Sequence, residues 1–161
     1  MSPHPTYITA PEGTPFIEVI RDFDAPRDLV FRASTDPGLV VRWLGPRDLK
    51  MRVIEFDARA GGRYRYVHTD AGGEEYPFRG VFHTVTEALI IQTFEFEDVP
   101  GVVSLETRHL DDLGDRTRLR QTAVFPSVAA RDEALTSGME QGITESMDRL
   151  GELLREPRGD R

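Results

Sequence analysis

The sequence predicts an α+β fold in which a curved antiparallel sheet packs against one long C-terminal helix. Three observations indicate it. Apolar and polar residues alternate in short segments between residues 16 and 125, glycine-containing turns separate most of those segments, and an apolar period of three to four residues follows Pro126. Alternation is typical of half-buried strands, and the longer period is typical of an amphipathic helix.

The chain begins with a Pro-, Thr- and Gly-rich stretch, which predicts a flexible lead-in over residues 1–14. The alternating segment FIEVIRDFDAP follows and predicts the first strand, with Ile17, Val19 and Phe23 on one face. Two short helices come next, PRDLVFRAST and PGLVVRWL. We expect Asp24 to cap the first helix and Asp36 to cap the second, because aspartate is a favoured N-cap residue.

Six further strands are predicted before the chain changes period, which makes a seven-stranded antiparallel meander. Their predicted bounds are Leu49–Asp57, Gly62–Thr69, Phe78–Thr86, Leu89–Glu97, Val102–Leu110 and Thr117–Phe125. The turns between them contain Gly61-Gly62, Gly72-Gly73, Pro100-Gly101 and Gly114, residues that suit tight reversals.

One long helix is predicted from a Ser127 cap to about Arg155. Its apolar positions recur at helical spacing: Leu135, Met139, Ile143, Met147, Leu150 and Leu154. The domain prediction is therefore a single unit over residues 15–156, followed by a flexible tail over residues 157–161. Because one helix cannot cover a seven-stranded sheet, we expect a cleft between sheet and helix unless side chains fill it.

Composition excludes several kinds of function. The net charge of −8 and the lack of a basic stripe argue against nucleic-acid or anionic-membrane binding. The absence of cysteine excludes disulfides and thiolate chemistry, and the N-terminus has no signal-peptide pattern, so we expect a cytoplasmic protein. The four histidines show no metal-ligand spacing and no phosphate- or dinucleotide-binding motif is present, so we expect neither metal nor cofactor. A homodimer is left open.

Several motifs, in order, resemble the SRPBCC or START-like superfamily, and more narrowly the family of the C-terminal domain of the activator of heat-shock-protein-90 ATPase. They are DFDAPRDLVFRASTDPGLVVRWLGP, FDARAGGRYRY, FRGVFHTV, TRLRQTAVFPS and SGMEQGITESMDRLGELL. The resemblance implies a helix-grip fold, with a cavity between the sheet and the final helix. Members often carry Gly-Trp in that helix, where this chain has Gly142-Ile143, so the cavity should be larger or differently shaped here.

The candidate site is the helix-facing side of the sheet. If Arg63 and Arg65 reach water, Tyr64 and Tyr66 face the helix, with His68 as a further candidate for that face. The same argument turns Thr107 and His109 inward and Glu106 and Arg108 outward. The predicted lining residues are Trp43, Tyr64, Tyr66, Phe82, Gln92, Phe94, Phe96, His109, Gln121, Met139, Ile143 and Met147. They either fill a solid core, in which the polar groups satisfy one another, or line a pocket. Trp43 either plugs the cavity mouth or anchors its helix to the sheet.

Three functions are compatible with this pattern. The leading hypothesis is a binding protein that holds an apolar or aromatic small molecule between the sheet and the helix. The second is a cofactor-independent cyclase, dehydratase or hydrolase that uses the same cavity, with His109 or Glu55 as the candidate acid or base. The third is a co-chaperone that regulates a heat-shock ATPase, as the resemblance implies, although we expect this chain to lack the additional N-terminal domain of the eukaryotic activator.

Overall fold

The computed structural model of the protein describes residues 4–157. It is an α+β helix-grip fold, as predicted, in which the C-terminal helices pack against one curved antiparallel sheet. The strands are β1 (Tyr7–Thr9), β2 (Phe16–Phe23), β3 (Lys50–Phe56), β4 (Arg63–Thr69), β5 (Glu75–Val85), β6 (Leu89–Phe96), β7 (Val103–Asp112) and β8 (Thr117–Val124). The helices are α1 (Arg27–Thr35), α2 (Pro37–Val40), α3 (Val128–Thr136) and α4 (Met139–Leu154).

The described part of the sheet has eight strands rather than the predicted seven, in the order β1-β2-β8-β7-β6-β5-β4-β3. The additional strand is β1, which pairs with β2 through Tyr7 opposite Ile20 and Thr9 opposite Glu18. It lies inside the segment expected to be a flexible lead-in. Three residues are too few to produce an alternating pattern, so this strand gives no periodic signal in the sequence.

Arg131 of α3 holds the segment between β1 and β2. Its guanidinium donates to the carbonyl oxygens of Pro11 and Phe16, each at 3.0 Å, and only 2% of the residue is exposed. Of the predicted C-terminal tail, residues 158–161 lie outside the described residues.

The predicted long helix is interrupted. It divides into α3 and α4 at Ser137-Gly138, where Gly138 has φ +90°, a left-handed backbone that favours glycine. The two predicted caps at Ser127 and Asp36 are confirmed, since their side chains accept from the backbone N–H of Ala130 and Gly38. The predicted Asp24 cap is wrong: Asp24 instead pairs with His4 at 2.9 Å, and Pro26 occupies the N-cap position of α1.

Two hydrophobic clusters pack against the sheet, and the partly buried Phe31 and Leu44 contact both of them. The first joins the end of the sheet formed by Phe23, Leu110 and Leu119 to α1, α2 and the C-terminal half of α4. The second is aromatic, is built from Tyr64, Tyr66, Phe82 and Ile90, and lies toward β3–β6. The residues that lie between these clusters on the sheet form the candidate site.

Candidate functional site

The inner face of β7 differs from the predicted one. Glu106 lies opposite Gln92 and Ala123, and Arg108 lies opposite Ile90 and Gln121. Neighbouring strands place directly opposed side chains on the same face, and Ile90, Ala123 and Leu110 are all buried. Glu106 and Arg108 therefore point inward.

His109 consequently faces the other way, opposite the exposed Arg120. The prediction that His109 lines the cavity, together with Thr107, is wrong. The charged residues were expected to reach water, but hydrogen bonds from neighbouring strands hold them inside instead.

Four polar residues, Gln92, Glu106, Arg108 and Gln121, lie side by side on β6, β7 and β8, and we call them the polar row. The Gln92 side-chain amide donates to the Tyr64 hydroxyl at 3.2 Å and to Glu106 Oε1 at 3.3 Å. Arg108 Nε donates to Gln121 Oε1 at 2.8 Å. The Tyr64 hydroxyl in turn donates to the backbone carbonyl of Thr93 at 2.5 Å, so the row is tied to the sheet itself.

The charges in the polar row are strongly desolvated. Burial raises the pKa of the Glu106 carboxyl, and the nearby Arg108 only partly offsets that effect. Burial likewise lowers the pKa of the Arg108 guanidinium, opposed by Glu106. Burial also raises the pKa of both Tyr64 and Tyr66. Isolated charges in such surroundings are costly, so this pair of opposite charges is an unusual feature for the interior of a small domain.

The polar row is deep but not sealed. All four of its residues keep part of their surface accessible, while Ile90 and Ala123 beside them are buried. Partial accessibility of this kind is expected of side chains on the wall of a cleft. The solid-core interpretation would require these side chains to be packed against neighbours.

The aromatic side of the cleft is a continuous set of ring contacts. Tyr66 stacks on Phe78 with ring centroids 5.4 Å apart, and Phe78 stacks on Phe94 at 5.2 Å and on Phe96 at 5.1 Å. Tyr64 contacts Phe82 at 5.3 Å. Phe78, Phe94 and Phe96 are each partly exposed, so aromatic surface remains available next to the polar row.

The opposite wall is α4, and its burial changes along one face. Leu150 and Met147 are buried in the first hydrophobic cluster, and Ile143, one turn before Met147, is partly buried and packs against the edge of that cluster. Met139, one turn earlier still, is also partly exposed, so burial decreases toward the N-terminal end of α4.

The α2–β3 loop closes one side of the cleft. The Gly45 N–H donates to Ser146 Oγ at 2.8 Å, and Arg149 of α4 donates to the Gly45 carbonyl at 2.9 Å. His68 lies beneath this glycine; a Cβ built on Gly45 would come within 2.4 Å of the imidazole. Burial, together with Arg149, lowers the pKa of His68 to about 4, so the ring is neutral at pH 7.

Among the predicted lining residues, Tyr64, Tyr66 and Phe82 belong to the second hydrophobic cluster. Gln92 and Gln121 belong to the polar row, Phe94 and Phe96 stack on Phe78, and Ile143 packs against the first cluster. Met139 is partly exposed at the start of α4. Trp43 and Met147 belong to the first hydrophobic cluster instead. The Trp43 indole N–H donates to the Ala33 carbonyl at 2.9 Å, so it anchors α1 to the segment after α2 rather than plugging a mouth. The candidate base Glu55 is exposed and pairs with Arg63.

Sequence reasoning placed Glu106 and Arg108 on the wrong face. The signal for them is a carboxylate and a guanidinium two residues apart on one strand, which puts opposite charges on the same face. The alternation of β4 did indicate His68 as a candidate for the inner face, and the ring is buried there.

The described residues also form a groove outside the polar row, and they lack a metal-ion cluster and a membrane-spanning helix. An open groove of about 520 Å³ runs between β1 and the N-terminal half of α4, but it contains no residue of the polar row. Between residues 4 and 157, no three His, Asp or Glu side chains are close enough together to hold a metal ion. In the same part of the chain, no helix is both long and apolar enough to cross a membrane.

The fold and the inner cleft define the protein as a helix-grip domain of the SRPBCC class. Residues 24–155 match the model of the family described as Activator of Hsp90 ATPase homolog 1-like protein. The chain belongs to that family. A search of curated proteins found no match.

Several solved structures share the fold over nearly the whole chain. A protein of Arthrobacter aurescens is 23% identical, with a TM-score of 0.87 over 94% of this chain and 92% of that one. A protein of Mycobacterium smegmatis is 22% identical, with a TM-score of 0.85 over 96% and 99% of the two chains. A protein of Chromobacterium violaceum is 26% identical, with a TM-score of 0.79 over 89% and 99%. These similarities establish the architecture, and the function must be argued from the site.

Proposed function

We propose that the protein binds a small, largely apolar or aromatic molecule in the cleft between the polar row and the N-terminal half of α4. The observation that carries the proposal is the polar row itself. Four hydrogen-bonding side chains, two of them charged, lie between two hydrophobic clusters and keep accessible surface. Ligand pockets combine apolar walls with a few polar groups that orient the ligand in this way.

The energetic cost of the polar row supports a role in binding. A buried charge without a direct partner of opposite charge costs free energy, so the two charges of the polar row are not explained by a contribution to folding. Glu106 and Arg108 form no direct ion pair within 4.0 Å in the described structure, and hydrogen bonds to Gln92 and Gln121 hold them instead. Charges held apart in this way remain available to a ligand.

Calorimetric titration with 2-naphthol, a neutral aromatic probe, tests the proposal. Wild type should bind it, and Ile143→Trp should bind at least tenfold more weakly because the indole occupies the accessible space beside α4. Glu133→Trp, which adds the same ring at an exposed position of α3, is the matched control and should bind like wild type. No binding to wild type, or equal binding to all three proteins, would contradict the proposal.

A second candidate is acid–base catalysis in the same cleft, and the raised pKa of the Glu106 carboxyl favours it. A carboxylate whose pKa is raised toward neutrality is a better general base than an ordinary one. Glu106 would remove a proton from a carbon next to a carbonyl, and the donors nearby would hold the enolate oxygen.

Deuterium exchange into 2-tetralone, an aromatic ketone with acidic C–H bonds, tests this candidate without knowledge of the natural substrate. Proton NMR in D₂O should show exchange faster with wild type than with Glu106→Gln. Equal rates for the two proteins would remove the catalytic candidate and leave the binding proposal intact.

A further inference from the structure

Arg108 has unused hydrogen-bonding capacity inside the cleft. A guanidinium carries five N–H donors, and in the described structure only the Nε–H of Arg108 has a partner, Gln121 Oε1. Neither terminal nitrogen, Nη1 or Nη2, bonds to any of residues 4–157, and neither is among the described atoms that are sealed from solvent without a partner. Both nitrogens therefore keep some accessible surface and carry N–H donors that no described residue uses.

The Tyr66 hydroxyl also lacks a hydrogen-bond partner among the described residues. Tyr66 is 5% exposed, and its hydroxyl has no hydrogen-bond partner in the described part of the chain, although the atom is not sealed from solvent. Tyr64, one pleat away on β4, uses its own hydroxyl for the Thr93 carbonyl. A buried phenol normally finds a partner, so the Tyr66 hydroxyl is a polar group that a ligand can satisfy.

Glu106 supplies the complementary acceptor. Its Oε1 accepts from Gln92, and Oε2 has no partner among the described residues and is also accessible. Tyr66 stacks on Tyr64 with ring centroids 6.0 Å apart, and the Gln92 amide donates both to the Tyr64 hydroxyl and to Glu106. Arg108 lies two residues from Glu106 on the same face of β7, so the three groups share one neighbourhood.

Resting on the proposed function, we infer that the ligand is an aromatic acid whose carboxylate binds Arg108 and Tyr66, and which also carries a hydroxyl or amine that donates to Glu106. Carboxylate matches the paired terminal nitrogens of a guanidinium better than any single acceptor does. The flat part of the molecule lies against the partly exposed rings of Phe78, Phe94 and Phe96, which already stack on one another.

Three naphthalenes test this ligand class by calorimetric titration: 2-naphthol, 2-naphthoic acid and 6-hydroxy-2-naphthoic acid. The ring is common to all three, and only the last carries both polar groups. At pH 7 we expect 6-hydroxy-2-naphthoate to bind at least tenfold more tightly than 2-naphthol, since hydrogen bonds to charged groups are stronger than neutral ones.

Two substitutions should change 2-naphthoate binding in opposite directions. Arg108→Gln should weaken it at least tenfold, because the paired donors and the positive charge are lost. Glu106→Gln should strengthen it severalfold, because a negative charge next to the ligand carboxylate is removed. His109→Gln, on the same strand but on the outer face, is the matched control and should bind like wild type. Opposite effects from neighbouring residues cannot arise from a general loss of folding.

The double variant Glu106→Gln with Arg108→Gln keeps the experiment decisive if Arg108→Gln alone fails to fold, because it leaves no unpaired charge inside. It should still bind 2-naphthol, more weakly than wild type because the Glu106 carboxylate is lost as an acceptor, and it should show no preference for 2-naphthoate. If wild type binds 2-naphthol but binds 2-naphthoate no better, or if Arg108→Gln leaves the preference unchanged, the inferred ligand class is wrong and the proposed function stands. If no naphthalene binds, the proposed function itself fails.

Discussion

His68 makes the stability of the protein depend on pH in a way that can be calculated. The ring is 4% exposed, lies between Tyr66 and Phe78, and has no hydrogen-bond partner for Nδ1 in the described structure. Burial and the positive charge of Arg149 lower its pKa from 6.5 to about 4. Between those two pH values His68 is protonated in the unfolded chain and neutral in the folded chain. The contribution of His68 to folding stability therefore falls as the pH falls.

The magnitude follows from that pKa difference. Above pH 6.5 the imidazole is neutral in both states and costs nothing. Each pH unit below 6.5 costs about 1.4 kcal/mol until the folded protein is also protonated near pH 4. At pH 5 the loss from His68 is therefore about 2 kcal/mol, a large part of the stability of a domain of this size.

Urea unfolding of wild type and His68→Leu at pH 7 and pH 5 measures this contribution. Wild type should lose about 2 kcal/mol more than the variant between the two pH values, and any constant cost of losing the imidazole contacts cancels in that difference. Carboxylates whose pKa values are lowered by arginine partners, such as Asp22 and Glu95, weaken both proteins equally on acidification. The exposed His83, replaced by Leu, is the matched control and should behave like wild type. Equal losses in wild type and His68→Leu would refute the reasoning.

Three further substitutions test the architecture by chemical denaturation. Ile143→Trp should leave stability unchanged or raise it by about 1 kcal/mol, because the ring enters accessible space; a loss of about 1–3 kcal/mol would indicate a filled core. Gly80→Ala should lower the free energy of unfolding by about 3 kcal/mol, because the new Cβ would lie 2.1 Å from the Thr93 carbonyl oxygen. An unchanged denaturation midpoint would show that β5 and β6 can move apart at little cost. Trp43→Phe should lower the free energy of unfolding by about 1–3 kcal/mol, because the Ala33 carbonyl loses its hydrogen-bond donor, and 2-naphthol binding should not change. Weakened 2-naphthol binding would indicate that Trp43 lines the cleft.

The long, regularly patterned elements of the fold could be predicted from the sequence. Seven strands and the C-terminal helical region follow from alternation and from helical spacing, because burial on one face imposes those periods. The three-residue β1 carries no period, and its position depends on pairing with β2. The break between α3 and α4 at Ser137-Gly138 could not be predicted, because the helical spacing of apolar residues continues across it, from Leu135 to Met139.

The orientation of β7 could not be decided from the sequence. Leu105 and Leu110 lie on opposite faces of the strand, so alternation fits either assignment. Leu105 is 46% exposed on the outer face and Leu110 is 1% exposed on the inner face. The rule that charged residues face water selected the wrong assignment, and such exceptions are expected where a charge serves a site rather than the fold.

Methyl NMR with 6-hydroxy-2-naphthoic acid tests most directly whether the inner cleft is a binding site. Titration should shift the methyl signals of Met139 and Ile143, which line the cleft, and leave those of Leu105 and Val124 unchanged, since both are exposed and lie opposite each other on the outer face of the sheet. Saturable shifts at Met139 and Ile143 that are reduced in Arg108→Gln are the predicted result. Shifts confined to Leu105 and Val124, or no shifts at millimolar probe, would contradict the account.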